Sequence, residues 1–486
     1  MKILLIIASF FLVTQLAAQN EADIFRYSKT YHSGSARFEA MGGAFGALGG
    51  DLSSGQINPG GMGRFSNSQF SFSLGPTINA SSGEFMSNST NAIKTSFSIP
   101  NFGIVFTKDV SGKNEGNLYS QFSFGMNRIA NFNQRLSYSG EQFESLLDVY
   151  SNQAAGTPPN DAYIFFPFTT GVAYDAYALE FDAGNNTYYS YLNSGNMLHS
   201  RDIETKGGIN EWYLSYSANR MNKLYWGASI NLRDSKYIEK YTHREEMTDT
   251  VGTPFRSFDY QYDLKTTGLG VNLKIGAIYL VTDAFRIGAS FHSPTFTQFK
   301  DDYTANMTST FDDSIKTIPE EFVPIGKYQY NMNTPLKLTA SAAYIFGLRG
   351  LVSFDVDYIG YNMGKLRSTK SIAYEPYDFK EENKVAKERL TAGFNYRAGV
   401  EFNIQQKLFI RGGFSLYSNA FKKEYDVDSK ADIAFSGGLG YKINQFSIDI
   451  SYVNRTINRT YYAFENSSAD FRTVSNVITI TGSIRF

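Results

Sequence analysis

The sequence predicts an all-β fold, a transmembrane antiparallel β-barrel of about fourteen strands. Three observations predict it. From about residue 205 onward, stretches of ten or more residues alternate apolar and polar side chains with a period of two, as strands do when one face meets lipid and the other a polar interior. After the N-terminus no apolar run is long enough for a membrane-crossing helix, which needs about 20 residues. The connections between the alternating stretches are short at one end and long at the other, as in barrels whose short turns face the periplasm.

Residues 1–18 read as a signal peptide: Lys2, the apolar run Ile3 to Val13, and small residues at a cleavage site after Ala18. Residues 19–66 are dense in glycine. Within them Phe38, Met41, Phe45 and Leu48 recur at helix spacing, with Gly42, Gly43 and Gly46 between them. That spacing predicts a helical passage, one weakened by its glycines at up to about 1 kcal/mol each. The stretch "GGAFGALGG" has neither the Lys-Ser/Thr of a phosphate loop nor a strand before it, so a nucleotide site is excluded.

Strands are predicted at 67–76, 96–108, 117–138, 206–220, 222–240, 256–281, 285–299, 335–346, 350–366, 387–403, 407–421, 431–443, 446–463 and 472–486, so the barrel occupies 67–486. In "LYWGASINLR" Leu224, Trp226, Ala228, Ile230 and Leu232 share one face, and Tyr225, Gly227, Ser229, Asn231 and Arg233 the other. Pro100 and Gly125 interrupt the early strands, and Ser123 to Asn133 breaks its alternation. Long loops are expected at 139–205, 242–255, 300–333 and 367–386. The first of these carries Phe143, Leu146, Leu147 and Tyr150 at helix spacing, an amphipathic helix able to shelter an apolar ligand or pack on the rim.

Alternation turns Lys274, Arg286, Arg397, Glu401, Arg411, Lys442 and Asp449 inward. Arg397 and Arg411 are candidates to meet a carboxylate, or such charges satisfy each other across the lumen. The net charge of −1, from 45 Lys+Arg and 46 Asp+Glu, excludes the basic stripe of a nucleic-acid partner. With no cysteine, thiolate metal sites and disulfides are absent. The four histidines, His32, His199, His243 and His292, lack the spacing of a helical metal pair. His292 beside Ser290 or Ser293 falls on the lumen face, the wrong side for a lipase. Neither an enzyme, a metal nor a cofactor is expected.

The chain resembles the FadL/TodX type of outer-membrane transporter for long-chain fatty acids and other hydrophobic compounds. The resemblance rests on the signal peptide, on "MGGAFGALGGDLSSGQINPGGM", on "RIGASFHSPT" and "FIRGGFSLY", and on the closing strand "VITITGSIRF". It implies a hatch, residues 19–66, inside the lumen, with Gly42, Gly43, Gly46, Gly49, Gly50, Asn58, Pro59 and Gly60 as gating positions; Gly60 stands where that family has Ala. It implies that Met41, Phe45, Leu48, Phe143, Leu146, Leu147, Arg397 and Arg411 meet the ligand, which leaves sideways through a gap at a kinked third strand. The implied partners are hydrophobic small molecules, outer-membrane lipid and, through terminal Phe486, the barrel-assembly machinery. Such a route suits the physics, because moving fourteen methylenes from lipid to water costs roughly 11 kcal/mol at about 0.8 each. The alternatives are a structural or adaptor barrel whose loops dock a partner such as a secretion component, and haem uptake with Tyr or Met ligands.

Overall fold

In the computed structural model, which describes residues 21–112, 116–192, 197–250, 252–369, 377–425, 430–464 and 466–486, fourteen antiparallel strands run alternately up and down and close on themselves. The expected cleavage after Ala18 lies outside the described residues. The first strands are β1 (Gln69–Phe85), β2 (Asn88–Asp109), β3 (Asn117–Asn131, resuming as Gln134–Gln142) and β4 (Met197–Arg220). Next come β5 (Leu224–Met247), β6 (Phe255–Leu280), β7 (Phe285–His292, then Phe296–Phe311) and β8 (Ile325–Asn333, then Lys337–Ile345). The last are β9 (Gly350–Gly360, then Lys365–Ser368), β10 (Ala392–Ile404), β11 (Leu408–Tyr417), β12 (Asp432–Ile443), β13 (Phe446–Phe464) and β14 (Ser467–Arg485). Pairing of β1 with β14, from Gln69 opposite Arg485 to Glu84 opposite Asp470, closes the ring.

Alternation assigns the faces as read from the sequence. Along β13, Phe446, Ile448, Ile450 and Tyr452 are exposed to the outside, while Asp449, Ser451 and Val453 are buried within. The tight turns at one end use pairs of left-handed residues, Met221 with Asn222 and Gln405 with Gln406, the geometry whose twist matches a hairpin.

The strands at the other end run well beyond their predicted limits. Both β4 and β5 are 24 residues long, where about 9–11 cross lipid. The loops expected at 139–205 and 300–333 therefore shrink to 143–196 and 312–324. The added lengths, such as "HSRDIETK", stand clear of lipid and carry polar residues on both faces, so they leave no period-two signal.

The longer loop folds as α3 (Leu146–Gln153), α4 (Pro159–Phe165), α5 (Thr170–Asp175) and a small hairpin, Leu179–Asp182 with Thr187–Ser190. Leu146, Leu147 and Tyr150 pack beneath it with Phe255, Phe258 and Tyr260. Phe143 precedes the helix and is exposed.

Residues 21–66 fill the lumen. Helix α1 (Glu21–Ser28) lies beside α6 (Lys380–Arg389), where Arg389 meets Glu21 at 2.7 Å. The helical passage expected over Phe38 to Leu48 stops early: α2 covers only Ala36–Ala40. Gly42 and Gly43 then take φ of +61° and +74°, and Gly49 and Gly50 repeat the left-handed pair, which no α-helix accommodates. Phe38, Met41, Phe45 and Leu48 still gather into one buried cluster. Two short 3₁₀ turns, Leu52–Gln56 and Pro59–Arg64, carry the chain to the wall.

A Cβ at Gly42 would stand 2.8 Å from the carbonyl oxygen and 3.0 Å from the nitrogen of Phe414 on β11. Gly42→Ala should therefore destabilise the seating of the N-terminal segment by about 1–3 kcal/mol, seen as faster proteolysis within residues 21–66 while the heat-resistant barrel persists on gels.

Candidate functional site

The wall is not paired along its whole height. Antiparallel pairing between β2 and β3 joins Asn101–Asp109 to Tyr119–Asn127 and goes no higher. The residue at the break is Pro100, which has no N–H to offer a neighbour. On the facing strand the β3–β4 register shifts between Arg128 and Ala130, so Ile129 is thrown inward, buried. This is the disrupted stretch that the sequence placed between Ser123 and Asn133. Above it, Gln134–Gln142 pairs with β4 alone among the described residues. It leans across the lumen, with Gln134 Nε2 donating to Thr473 Oγ1 at 2.7 Å and Asn79 Nδ2 donating to the Asn133 carbonyl at 2.6 Å. Below it, Asn101 Nδ2 donates to Asn127 Oδ1 at 2.7 Å and pins the seam shut.

Behind this break lies a cavity of about 80 Å³, bordered by Ser98 and Pro100 on β2, Ile129 and Asn131 on β3, Val453 and Val477 on the opposite wall, and Tyr31 and His32 of the lumen segment. A second, polar cavity of about 40 Å³ sits between Gln56, Glu211, Lys274 and His292. Neither has room for an acyl chain. The larger takes several waters, each needing about 10–15 Å³ of such space.

The segment "INPGG" is the anchor of the lumen filling. Asn58 caps the turn at Pro59–Arg64 by accepting the Gly60 N–H at 2.9 Å. Its Nδ2 donates to the Gly46 carbonyl at 2.7 Å and to the Ala277 carbonyl of β6 at 2.9 Å. One side chain thus ties two lumen turns to the wall. Ser217 Oγ donates to the Pro59 carbonyl at 3.0 Å. A Cβ at Gly60 would come within 3.0 Å of backbone atoms of Tyr225, Gly276 and Ala277, and one at Gly46 would overlap Ser341. Gly49 packs on Gly61, and Gly43 on His32. Ser290 Oγ and His292 Nε2 both bond the Ile57 carbonyl, at 2.7 and 2.8 Å, so this serine and histidine hold the segment and do not form a nucleophile pair.

Of the inward charges, Lys274, Arg397, Glu401, Arg411 and Asp449 are matched by protein partners, whereas Arg286 and Lys442 have no ion pair among the described residues, and the Arg286 Nε is buried without a hydrogen-bond partner. Arg397, fully buried, lies between Asp357 and Asp355 and donates Nη2 to Asp357 Oδ1 at 2.9 Å. Arg411 donates to Glu401 and Asp449, each at 2.6 Å. Arg37 completes this cluster on Glu401 at 2.8 Å. Lys274 pairs with Glu211, which also takes Arg233. Arg397 and Arg411 therefore sit where protein carboxylates already occupy them. Met41, Phe45 and Leu48 are buried inside the lumen segment, while Leu146 and Leu147 are beneath the loop helices.

Strand pairing assembles one group that helical spacing did not anticipate. His199 lies opposite Glu245, and Arg201 opposite His243, which brings His199, His243 and Glu245 together near the loop ends of β4 and β5. Burial pushes the His199 imidazole down to about 4 and raises the Glu245 carboxyl. Glu245 accepts the Leu146 N–H at 2.8 Å and the Ser145 hydroxyl at 2.5 Å, capping α3. Arg201 Nε donates to His243 Nδ1 at 3.2 Å and His243 Nε2 meets Glu245 Oε1 at 2.8 Å. The ring proton is thus on Nε2, where a metal would need a lone pair, and Arg201 supplies the charge balance. The arrangement is a clasp for the loop.

No family model and no curated protein matches the chain. Its backbone does match solved structures. A Pseudomonas aeruginosa FadL homologue superposes with a TM-score of 0.55 at 11% identity, covering 94% of this chain and 99% of that one. The P. putida toluene transporter TodX gives 0.51 at 11% identity, and the Ralstonia pickettii toluene transporter TbuX 0.50 at 15%, each over 94% of this chain and 99% of the other. The chain has the fold of FadL/TodX-type transporters over nearly its whole length.

Removing one member of the buried charge cluster should be costly. Arg397→Met leaves Asp355 and Asp357 facing each other in the lumen and should cost about 3–5 kcal/mol, read as a lower urea midpoint for unfolding in neutral detergent.

Proposed function

We propose that this protein admits hydrophobic compounds, long-chain fatty acids among them, across an outer membrane, by a route that ends sideways in lipid and is gated by residues 21–66. The observation that carries the reading is the unpaired height of wall above Asn101 and Asn127, with a cavity directly behind it. A compound leaving there enters the lipid without crossing water, avoiding about 0.8 kcal/mol per methylene. The neighbours of the same fold are transporters of toluene, and among the described residues Ser290 and His292 both bond the Ile57 carbonyl and form no nucleophile pair.

The small size of the cavity makes movement of the lumen segment a requirement of this reading. A chain of fourteen methylenes passes only if the glycine-lined turns withdraw from β8 and β11. The lumen segment is held by hydrogen bonds and by close backbone contact, with Asn58 at the centre, and lacks any covalent tie.

The chain has no cysteine, so one engineered disulfide can lock the segment. The β-carbons of residues 46 and 341 would stand 2.9 Å apart, closer than the roughly 3.5–4.5 Å of a cystine, so the segment must ease slightly from the wall as the bond forms. Cells carrying Gly46→Cys with Ser341→Cys should lose most uptake of labelled oleate when oxidised and recover it on reduction. Uptake that ignores the redox state would sink the gating; uptake no higher than in cells lacking the gene would sink transport itself.

A further inference from the structure

The outer wall gathers positive charge on one arc, at the edge of its lipid-facing zone. On β5, β6 and β7 a lysine stands two outward positions beyond the last exposed large apolar residue: Lys236 beyond Leu232, Lys265 beyond Leu269 and Lys300 beyond Phe296. Lys327 on β8 completes the group, and all four are exposed. The register draws them together. Lys236 and Lys300 both lie opposite Thr267, and Lys265 and Lys327 both lie opposite Asp302. Side chains two strands apart stand about 9–10 Å from each other, close enough for long lysines to converge on one ligand.

The charges in this group do not balance. Asp302 is the one carboxylate among them, 3.3 Å from the Lys300 ammonium, and among the described residues Lys236, Lys265 and Lys327 have no ion pair. The nearby carboxylates are engaged elsewhere: Asp263 pairs with Lys240, and Asp234 accepts the Trp212 indole N–H at 2.9 Å and Asn210 Nδ2 at 3.1 Å. Elsewhere on the wall the corresponding outward positions are neutral, as at Asn454, Thr456 and Asn458 on β13 and Ala80 and Ser82 on β1. The arc is therefore a local feature and not a general property of the rim.

Its place decides its partner. Two outward positions are about 13 Å along a strand, and less in height because barrel strands tilt by about 35–45°, so a lysine reaches the head-group layer by extending its stem. Directly below are Leu232, Leu269 and Phe296, exposed to lipid. A soluble acidic protein would meet the ammonium groups and leave that apolar strip uncovered by contact. A lipid covers both. We infer that the outward face of β5–β8 holds a phosphate-bearing lipid of the outer leaflet, with Lys236, Lys265, Lys300 and Lys327 on its phosphates and its acyl chains along the apolar strip. Basic clusters at a membrane edge recognise anionic head groups in this way, and a phosphate offers several acceptor oxygens to share among ammonium donors.

The test is equilibrium binding to the purified barrel in neutral detergent, with bis-phosphorylated lipid A, the same glycolipid without phosphate, inorganic pyrophosphate and poly-glutamate as probes. Lipid A should bind at least tenfold more tightly than its phosphate-free form. The fourfold variant Lys236→Gln, Lys265→Gln, Lys300→Gln and Lys327→Gln should weaken lipid A at least tenfold and leave the phosphate-free form within twofold. Lys223→Gln with Lys407→Gln, on the short turns at the other end, should leave both within twofold. Equal losses for the two glycolipids, or an equal loss in the short-turn variant, would mean that wall shape or total charge governs binding and would overturn the site. Pyrophosphate binding as tightly as lipid A would mark a free-phosphate site, and poly-glutamate doing so a face for an acidic protein; either overturns it. Should the fourfold variant not fold, Lys265→Gln with Lys327→Gln decides alone, with a selective loss of at least threefold expected. The head group lies outside the wall, so none of these outcomes bears on transport through the lumen.

Discussion

Every peptide group that crosses lipid must find its hydrogen-bond partner inside the protein, because an unsatisfied one costs several kcal/mol there. The ladder between Gln69–Glu84 and Asp470–Arg485 is where this chain meets that demand for the last time, joining its first strand to its last. All else in the architecture follows from that closure. Fourteen strands enclose a lumen too wide for their own inward side chains to fill, so another part of the chain must fill it. The same demand makes the stretch above Asn101 unusual, since there the wall gives up pairing and relies on a proline and on a strand bent across the interior.

The lumen filling shows how a polar interior is kept dense. Small residues let backbone lie on backbone, as at Gly42 against Phe414 and Gly60 against Tyr225 and Gly276. Charges are then neutralised in clusters that join the segment to the wall, such as Arg37 with Glu401 and Arg411. Replacing such clusters by apolar groups often leaves stability unchanged, whereas removing one partner is severe. They therefore serve to specify position more than to add net stability.

The lipid-facing half of the fold was legible because burial on one side and lipid on the other impose a strict period on strands such as Leu224–Leu232. Pro100 and the irregular run to Asn133 likewise marked the break in advance, since missing donors and lost alternation have direct consequences for pairing. The strand ends above the membrane were not legible, because residues such as Arg201 and Glu204 meet polar surroundings on both faces. The helical spacing of Phe38 to Leu48 misled in a specific way: the four side chains do cluster, but through left-handed glycine turns instead of one helix. Partnerships across the barrel were invisible for a different reason. Alternation turned Arg397 and Arg411 inward correctly, yet only the register of β9 against β10, which sets Asp355 opposite Arg397, and of β10 against β11, which sets Glu401 opposite Arg411, supplies their carboxylates.

The seating of residues 21–66 has a consequence for biogenesis. These residues touch strands from β2 through β14, so their resting place is not complete until nearly all of the sequence has been delivered. They are also the first part of the described chain to be made. The segment must therefore wait, unplaced, while later strands add one by one, and it must be inside before β1 and β14 zip together. Its contacts are among the most distant in sequence that the fold contains, such as Ala36 with Thr481, and distant contacts form late. Capture of the plug and sealing of the seam are then a single terminal event, with the amino end held in reserve to complete a vessel that is otherwise built.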